Sequence, residues 1–133
     1  MPALTCIVVT PEDTALEESA SYVVAPLFDG EIGIAAGRSP LIGRLGYGEL
    51  RLTGESGSVS RYYVDGGFLQ VADNTVTLLT GKLVPAGDLK LAELEEQLSE
   101  AQAKPSNSAE LMELRDKAVL QARSQIKVAR RSN

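Results

Sequence analysis

Six glycines crowd the stretch FDGEIGIAAGRSPLIGRLGYGEL, Phe28 to Leu50: Gly30, Gly33, Gly37, Gly43, Gly46 and Gly48. Glycines at this density can form a phosphate cradle, in which bare backbone N–H groups approach an anion. The spacing argues otherwise. A P-loop needs G-x-x-x-x-G-K-[ST], but Gly81-Lys82 is followed by Leu83, and no Gly-Lys-Ser or Gly-Lys-Thr occurs. The dinucleotide fingerprint G-x-G-x-x-G opens a helix. Here Gly43-Arg-Leu-Gly46-Tyr-Gly48 has the wrong order and leads into ELRL, which reads as a strand. Turn and corner glycines are the expected role.

Other chemistries are thinly supplied. The chain has no histidine, which removes His-based triads, general bases and metal ligands together. Cys6 is the only cysteine and lies in the apolar run LTCIVVT, where a buried, inert thiol is expected. No disulfide framework and no thiolate metal site can be built from it. Glu17-Glu18 and Glu95-Glu96 are adjacent, so their side chains diverge along a strand or helix and read as solvated faces. Asp29 and Asp65 have no base or nucleophile beside them in sequence. Neither a cofactor nor a metal is expected. A small hydrolase using dispersed carboxylates stays open as a minor alternative.

A formal net charge of −5 argues against nucleic acid as a partner, because phosphate backbones need a basic face. The C-terminal segment differs from the rest: Arg123, Lys127, Arg130 and Arg131 have no acid among them. Such a segment suits an acidic partner, or simply complements the negative end of a helix. No apolar run approaches the ~20 residues that span a bilayer. The opening MPALTC carries no basic-then-apolar leader. A cytoplasmic location is expected, or a peripheral place at a membrane through a partner.

The elements that must position these residues change character near Pro85. Before it, β-rich runs alternate with Gly, Pro, Asp and Asn turns: LTCIVVT, ASYVVAPL, GEIGIA, PLIGRL, GELRLT, VSRYYVDGGFLQVA and TVTLLT. Hairpin turns are predicted at Gly54-Glu55-Ser56-Gly57 and at Asp73-Asn74. Many short strands with regular turns indicate a sandwich or flattened barrel. After Pro85 the period becomes helical. Leu91, Leu94, Leu98 and Ala101 form one stripe, with Asp88 placed to cap it; Leu111, Leu114, Ala118, Ala122, Ile126 and Ala129 form a second, with an N-x-x-E cap from Asn107 to Glu110. The short break at KPSNS implies an antiparallel hairpin. Met112, Val119, Leu120 and Val128 fall off the second stripe as spare apolar surface. The expected organisation is a β-sandwich domain over 1–86 and a helical hairpin over 87–133.

The order of blocks resembles the epsilon subunit of the bacterial F-type ATP synthase, homologue of the chloroplast epsilon and mitochondrial delta subunits. The blocks run nearly end to end: V-x-T-P at Val8 to Pro11, GEIGI, GRSPL, GELRL, and GGFLQVADNTVT, followed by two helices. The resemblance implies a ten-stranded sandwich and a two-helix C-terminal domain. It implies a non-catalytic place in the central stalk, bound to the gamma subunit and the c-subunit ring, which couples proton flow to ATP synthesis. It also implies a peripheral site on the cytoplasmic face of the inner membrane, held there by the complex. Glu31, Gly33, Arg38, Ser39, Pro40 and Leu41 match the family's ring-facing and gamma-facing region. In bacterial members the hairpin can extend toward the alpha/beta catalytic hexamer and inhibit ATP hydrolysis. Arg123, Lys127, Arg130 and Arg131 fall where basic residues meet an acidic segment of beta. Two departures stand out. Arg38 replaces a common histidine. The regulatory ATP motif I/L-D-x-x-R-A reads LKLAEL, with Lys90 at the Asp position and Glu93 at the Arg position. A different reading, a β-sandwich adaptor with a helical arm in some other multisubunit complex, fits the composition as well.

Overall fold

The computed structural model describes residues 3–131. The chain divides into two compact units, one ending at Pro85 and the other beginning at Ala86.

The first unit holds eight strands: β1 (Leu4–Val9), β2 (Thr14–Ala20), β3 (Tyr22–Leu27), β4 (Gly30–Ala35), β5 (Leu41–Thr53), β6 (Val59–Ala72), β7 (Thr75–Leu79) and β8 (Leu83–Pro85). They form one sheet in the order β2-β1-β7-β6-β5-β3-β4, with β8 also on β6. The described pairings are antiparallel apart from β1 on β7, which is parallel. The sandwich class expected from the sequence is present, but with eight strands where ten were expected. The runs PLIGRL and GELRLT, which read as two strands, are one strand of 13 residues, and its partner β6 has 14.

Both long strands are interrupted at glycine. The β5–β6 ladder steps from Leu45↔Gly67 to Tyr47↔Asp65, leaving Gly46 and Gly66 unpaired at the step. Gly66 and Gly67 have φ of 71° and 109°, values that only glycine adopts at low cost. A side chain at Gly67 would also run into the Leu79 carbonyl. β7 then lies along Phe68 to Ala72 and β8 along Tyr62 to Val64, so the two halves of β6 take different neighbours. A single sheet can therefore close over one core. Leu45, Leu50 and Leu52 of β5 and Val64, Leu69 and Val71 of β6 pack with Leu4, Cys6 and Val8 of β1. Within each half of β5 and β6 the buried residues alternate, and the parity changes across Gly46 and Gly66-Gly67, so both halves turn their apolar side to the same core. Burial pushes the Cys6 thiol up to about 12, with nearby Glu18 adding to the shift, which accords with the inert thiol expected.

The Asp73-Asn74 turn is as the sequence predicts: both residues have positive φ, 51° and 58°, as a two-residue primed hairpin turn requires. The edge strand β2 exposes Glu17 and Glu18, charges that discourage pairing with another sheet.

The second unit has a 3₁₀ turn (Ala86–Asp88), α1 (Leu91–Gln102) and α2 (Ala109–Arg131). Leu94, Ile126 and Ala129 are its buried centre, with Leu89, Leu91 and Leu98 packed around them. The caps differ from expectation. Asp88 belongs to the 3₁₀ turn, and Lys90 stands at the N-cap of α1 without a side-chain cap bond. Ser108, not Asn107, caps α2: its Oγ accepts the Leu111 N–H at 3.1 Å. Leu111 and Leu114 of the predicted stripe are exposed, while Val128, expected as spare surface, is buried. α2 has 23 residues against 12 in α1, so a shorter partner cannot cover its whole length.

Candidate functional site

Glu31, the second residue of β4, lies opposite Pro26 and is exposed, as are Arg38, Ser39 and Pro40 in the loop that follows β4. Leu41 opens β5 and is half-buried. The loop is tethered: the Gly37 N–H donates to Asn74 Oδ1 at 2.7 Å, which ties it to the β6–β7 turn. Glu31 and Arg38 lie toward opposite ends of β4. Glu31 and Ala35 alone are about 13 Å apart at the usual strand rise, so the two charges do not form one compact point. Gly33 has a structural reason to be glycine, because the Tyr22 hydroxyl occupies the space a Cβ would need.

The register exposes a feature that the sequence did not single out. Phe28 donates its N–H to Arg44 O at 2.8 Å; Arg44 pairs with Phe68, Phe68 with Leu79, and Leu79 with Val9. Residues directly opposite in a sheet share a face, so these five form one row across β5, β6, β7 and β1, extended by Phe28 just past the end of β3. Phe28 is 71% exposed, Phe68 59% and Leu79 52%, and Ile42, two residues from Arg44 on the same face, is 77% exposed. The Arg44 guanidinium sits 4.7 Å from the Phe28 ring centroid, a cation–π contact. Scattered exposed apolar residues are ordinary, but a contiguous run of large ones marks an interaction surface. Only the cross-strand register reveals it, since the residues come from distant parts of the chain.

The carboxylates are engaged structurally. Tyr63 Oη donates to Asp65 Oδ1 at 2.6 Å, and the Asp65 N–H donates to Thr80 Oγ1 at 2.9 Å. Desolvation, then the hydrogen bond to Asp65, raises the Tyr63 phenol far above its ordinary value. Glu49 is buried and ion-paired with Arg51. Among the described residues no group of three or more His, Cys, Asp or Glu side chains could hold a metal.

In the second unit Arg123, Lys127, Arg130 and Arg131 line a groove of about 500 Å³ with Leu98 and Ile126. An acid joins them that the local sequence does not contain: Glu95 of α1 lies 3.7 Å from Arg130. At the start of α1, Lys90 faces the positive end of the helix and Glu93 lies in the first turn. The acid suits that helix end and the base does not. An acidic first turn is also a poor receptor for an anionic nucleotide.

A sheet closed over one core that carries an exposed apolar row suits a chain that assembles with other chains. The profile of the ATP synthase delta/epsilon chain beta-sandwich domain matches residues 3–86. The ATP synthase epsilon chain of Rhodopirellula baltica is 48% identical over 128 residues, covering 96% of this chain and 99% of that one. That of Rubrobacter xylanophilus is 36% identical over 100 residues, 74% of this chain and 67% of that one. Among solved structures, a chain of the Euglena gracilis mitochondrial ATP synthase (OSCP/F1/c-ring) aligns with a TM-score of 0.83 at 24% identity, covering 93% of this chain and 80% of that one. A chain of the Tetrahymena thermophila central stalk/c-ring structure aligns at 0.72 and 17% identity, covering 95% and 96%. Those two likenesses are of fold. The chain belongs to the ATP synthase delta/epsilon chain family. As a member of that family it is a chain of the ATP synthase. No helix among the described residues is long and apolar enough to cross a membrane.

Proposed function

We propose that the sandwich docks on the gamma subunit and on the ring of c subunits, and so couples proton translocation to ATP synthesis. The observation that carries this is the exposed row of Phe28, Phe68 and Leu79 with Ile42 beside it. A surface of this kind is costly to leave in water and specific to cover. Glu31, Gly33, Arg38, Ser39, Pro40 and Leu41 complete the proposed contact at the ring and the shaft. The tether from Gly37 to Asn74 supports this role, because it gives an exposed loop a fixed position. The complex holds the subunit on the cytoplasmic face of the inner membrane.

Co-purification with gamma tests this reading. Phe68→Asp is expected to abolish recovery of gamma while leaving the isolated chain folded, since Phe68 is exposed. Undiminished recovery by Phe68→Asp and by Ile42→Asp would overturn the assignment of this face.

The hairpin, on the same proposal, reaches the alpha/beta hexamer and restrains ATP hydrolysis through Arg123, Lys127, Arg130 and Arg131. Their exposure along one side of α2 supports an acidic partner. Reconstituted complexes with the full chain and with a chain truncated after Gly87 separate the two roles. Faster hydrolysis by the truncated form is expected; equal rates would remove the inhibitory role and leave coupling intact. Regulatory ATP binding is not part of the proposal, given Lys90 and Glu93.

A further inference from the structure

Glu49 is a charged residue in a place where charge is expensive. It lies on β5 opposite Tyr63, and its side chain is 2% exposed. Its Oε1 is 3.2 Å from Arg51 Nη1 and 3.8 Å from Arg61 Nε, while Oε2 has no hydrogen-bond partner. A buried carboxylate persists only where cations compensate it, so Arg51 is held in place from beneath. The same Arg51 Nη1 lies 3.4 Å from Glu31 Oε2. The strand register allows this: Val24 of β3 pairs with both Arg51 and Gly33, and Glu31 is two residues from Gly33 on the same face. The three groups run from buried acid through half-buried base to exposed acid.

A surface ion pair by itself contributes little and wanders among rotamers. Here the outer pair is anchored at its inner end. We propose that Glu49 is a positioning residue, which fixes the Arg51 guanidinium and through it the Glu31 carboxylate. This deepens the proposed ring contact and rests on the reading that Glu31 faces the ring. A functional charge on the rotor surface is thereby set from inside the sandwich.

Two measurements test the inference. In the isolated full chain, the Arg51 Nη1–H protons are expected to exchange slowly with solvent and to lose that protection in Glu49→Gln. In reconstituted ATP synthase, Glu49→Gln and Glu31→Gln are each expected to lower protons pumped per ATP hydrolysed by about twofold, with the double variant no worse than either single one. If Glu49→Gln does not fold, Arg51→Lys gives the same coupling reading, since its ammonium ends one bond short of the Nη1 that touches both acids. An unchanged Arg51 resonance, or a double variant whose loss is the product of the single losses, would overturn the inference. Should Glu31→Gln leave coupling intact, the ring-facing reading fails, and the Arg51 resonance alone then decides whether Glu49 positions Glu31.

Discussion

The sandwich and the hairpin hold themselves together in different ways. In the sandwich, buried residues from β1, β3, β4, β5, β6 and β7 meet in a single cluster, so each strand's burial depends on the others. In the hairpin the described centre is Leu94, Ile126 and Ala129 with three leucines around it, and the first turns of α2 expose Leu111, Met112 and Leu114. Short helices gain most of their stability from packing, not from propensity. A tightly packed sandwich and a lightly held hairpin suit the proposed division of labour, coupling by the first and restraint of hydrolysis by the second.

Three substitutions would break or sharpen this contrast. Gly67→Val combines a positive φ with a collision at the Leu79 carbonyl, so it is expected to cost the sandwich about 3 kcal/mol or more. Urea unfolding followed by tyrosine circular dichroism measures this, since the tyrosines all precede Pro85. A loss below about 1 kcal/mol would mean that the bend is soft. Leu94→Ala is expected to cost about 2 kcal/mol, but only locally. Amide exchange should quicken across α1 and α2 while the tyrosine-detected urea midpoint stays put. If both moved together, the contrast between the units would be lost.

The smallest effect concerns pH. The Cys6 thiol is raised from 9.0 to about 12 by burial. Below pH 9 both the folded and unfolded chains hold this proton, and its stabilising contribution is complete. Above it the unfolded chain releases the proton first, so stability falls as pH rises from 9 toward 12. The raised phenol of Tyr63 acts in the same direction. Cys6→Ala is expected to flatten part of the fall in the calorimetric midpoint between pH 8.5 and about 10; an unchanged slope would show that Cys6 does not contribute.

What could be read from the sequence was local. Asp73-Asn74 announced its turn because positive φ is a property of those residue types. The stripe from Leu91 to Ala101 followed from helical period alone. The fused strands were hidden, because Gly46 reads as a breaker unless Gly66 and Gly67 are known to lie across from it. Nothing near Glu49 in sequence says that its side chain is covered. The Phe28 to Val9 row draws on four strands and the turn after β3, and needs the register to be assembled. The acid beside the basic groove comes from α1, about one helix away from the cluster it joins. In each case the missing information was which distant residues lie opposite one another.

The parallel pairing of β1 with β7 has a consequence for how the chain is made. Leu4 to Val9 leave the ribosome well before their neighbours Thr75 to Leu79, which come some 70 residues later. On the other side β1 can pair early with β2, which follows it closely. During synthesis that hairpin must therefore travel with one flank open, carrying Cys6 and Val8 without their eventual cover. Closing such a long loop is slow compared with forming local turns. The acidic residues of β2 then have a second use, as a temporary guard against pairing with a neighbouring nascent chain.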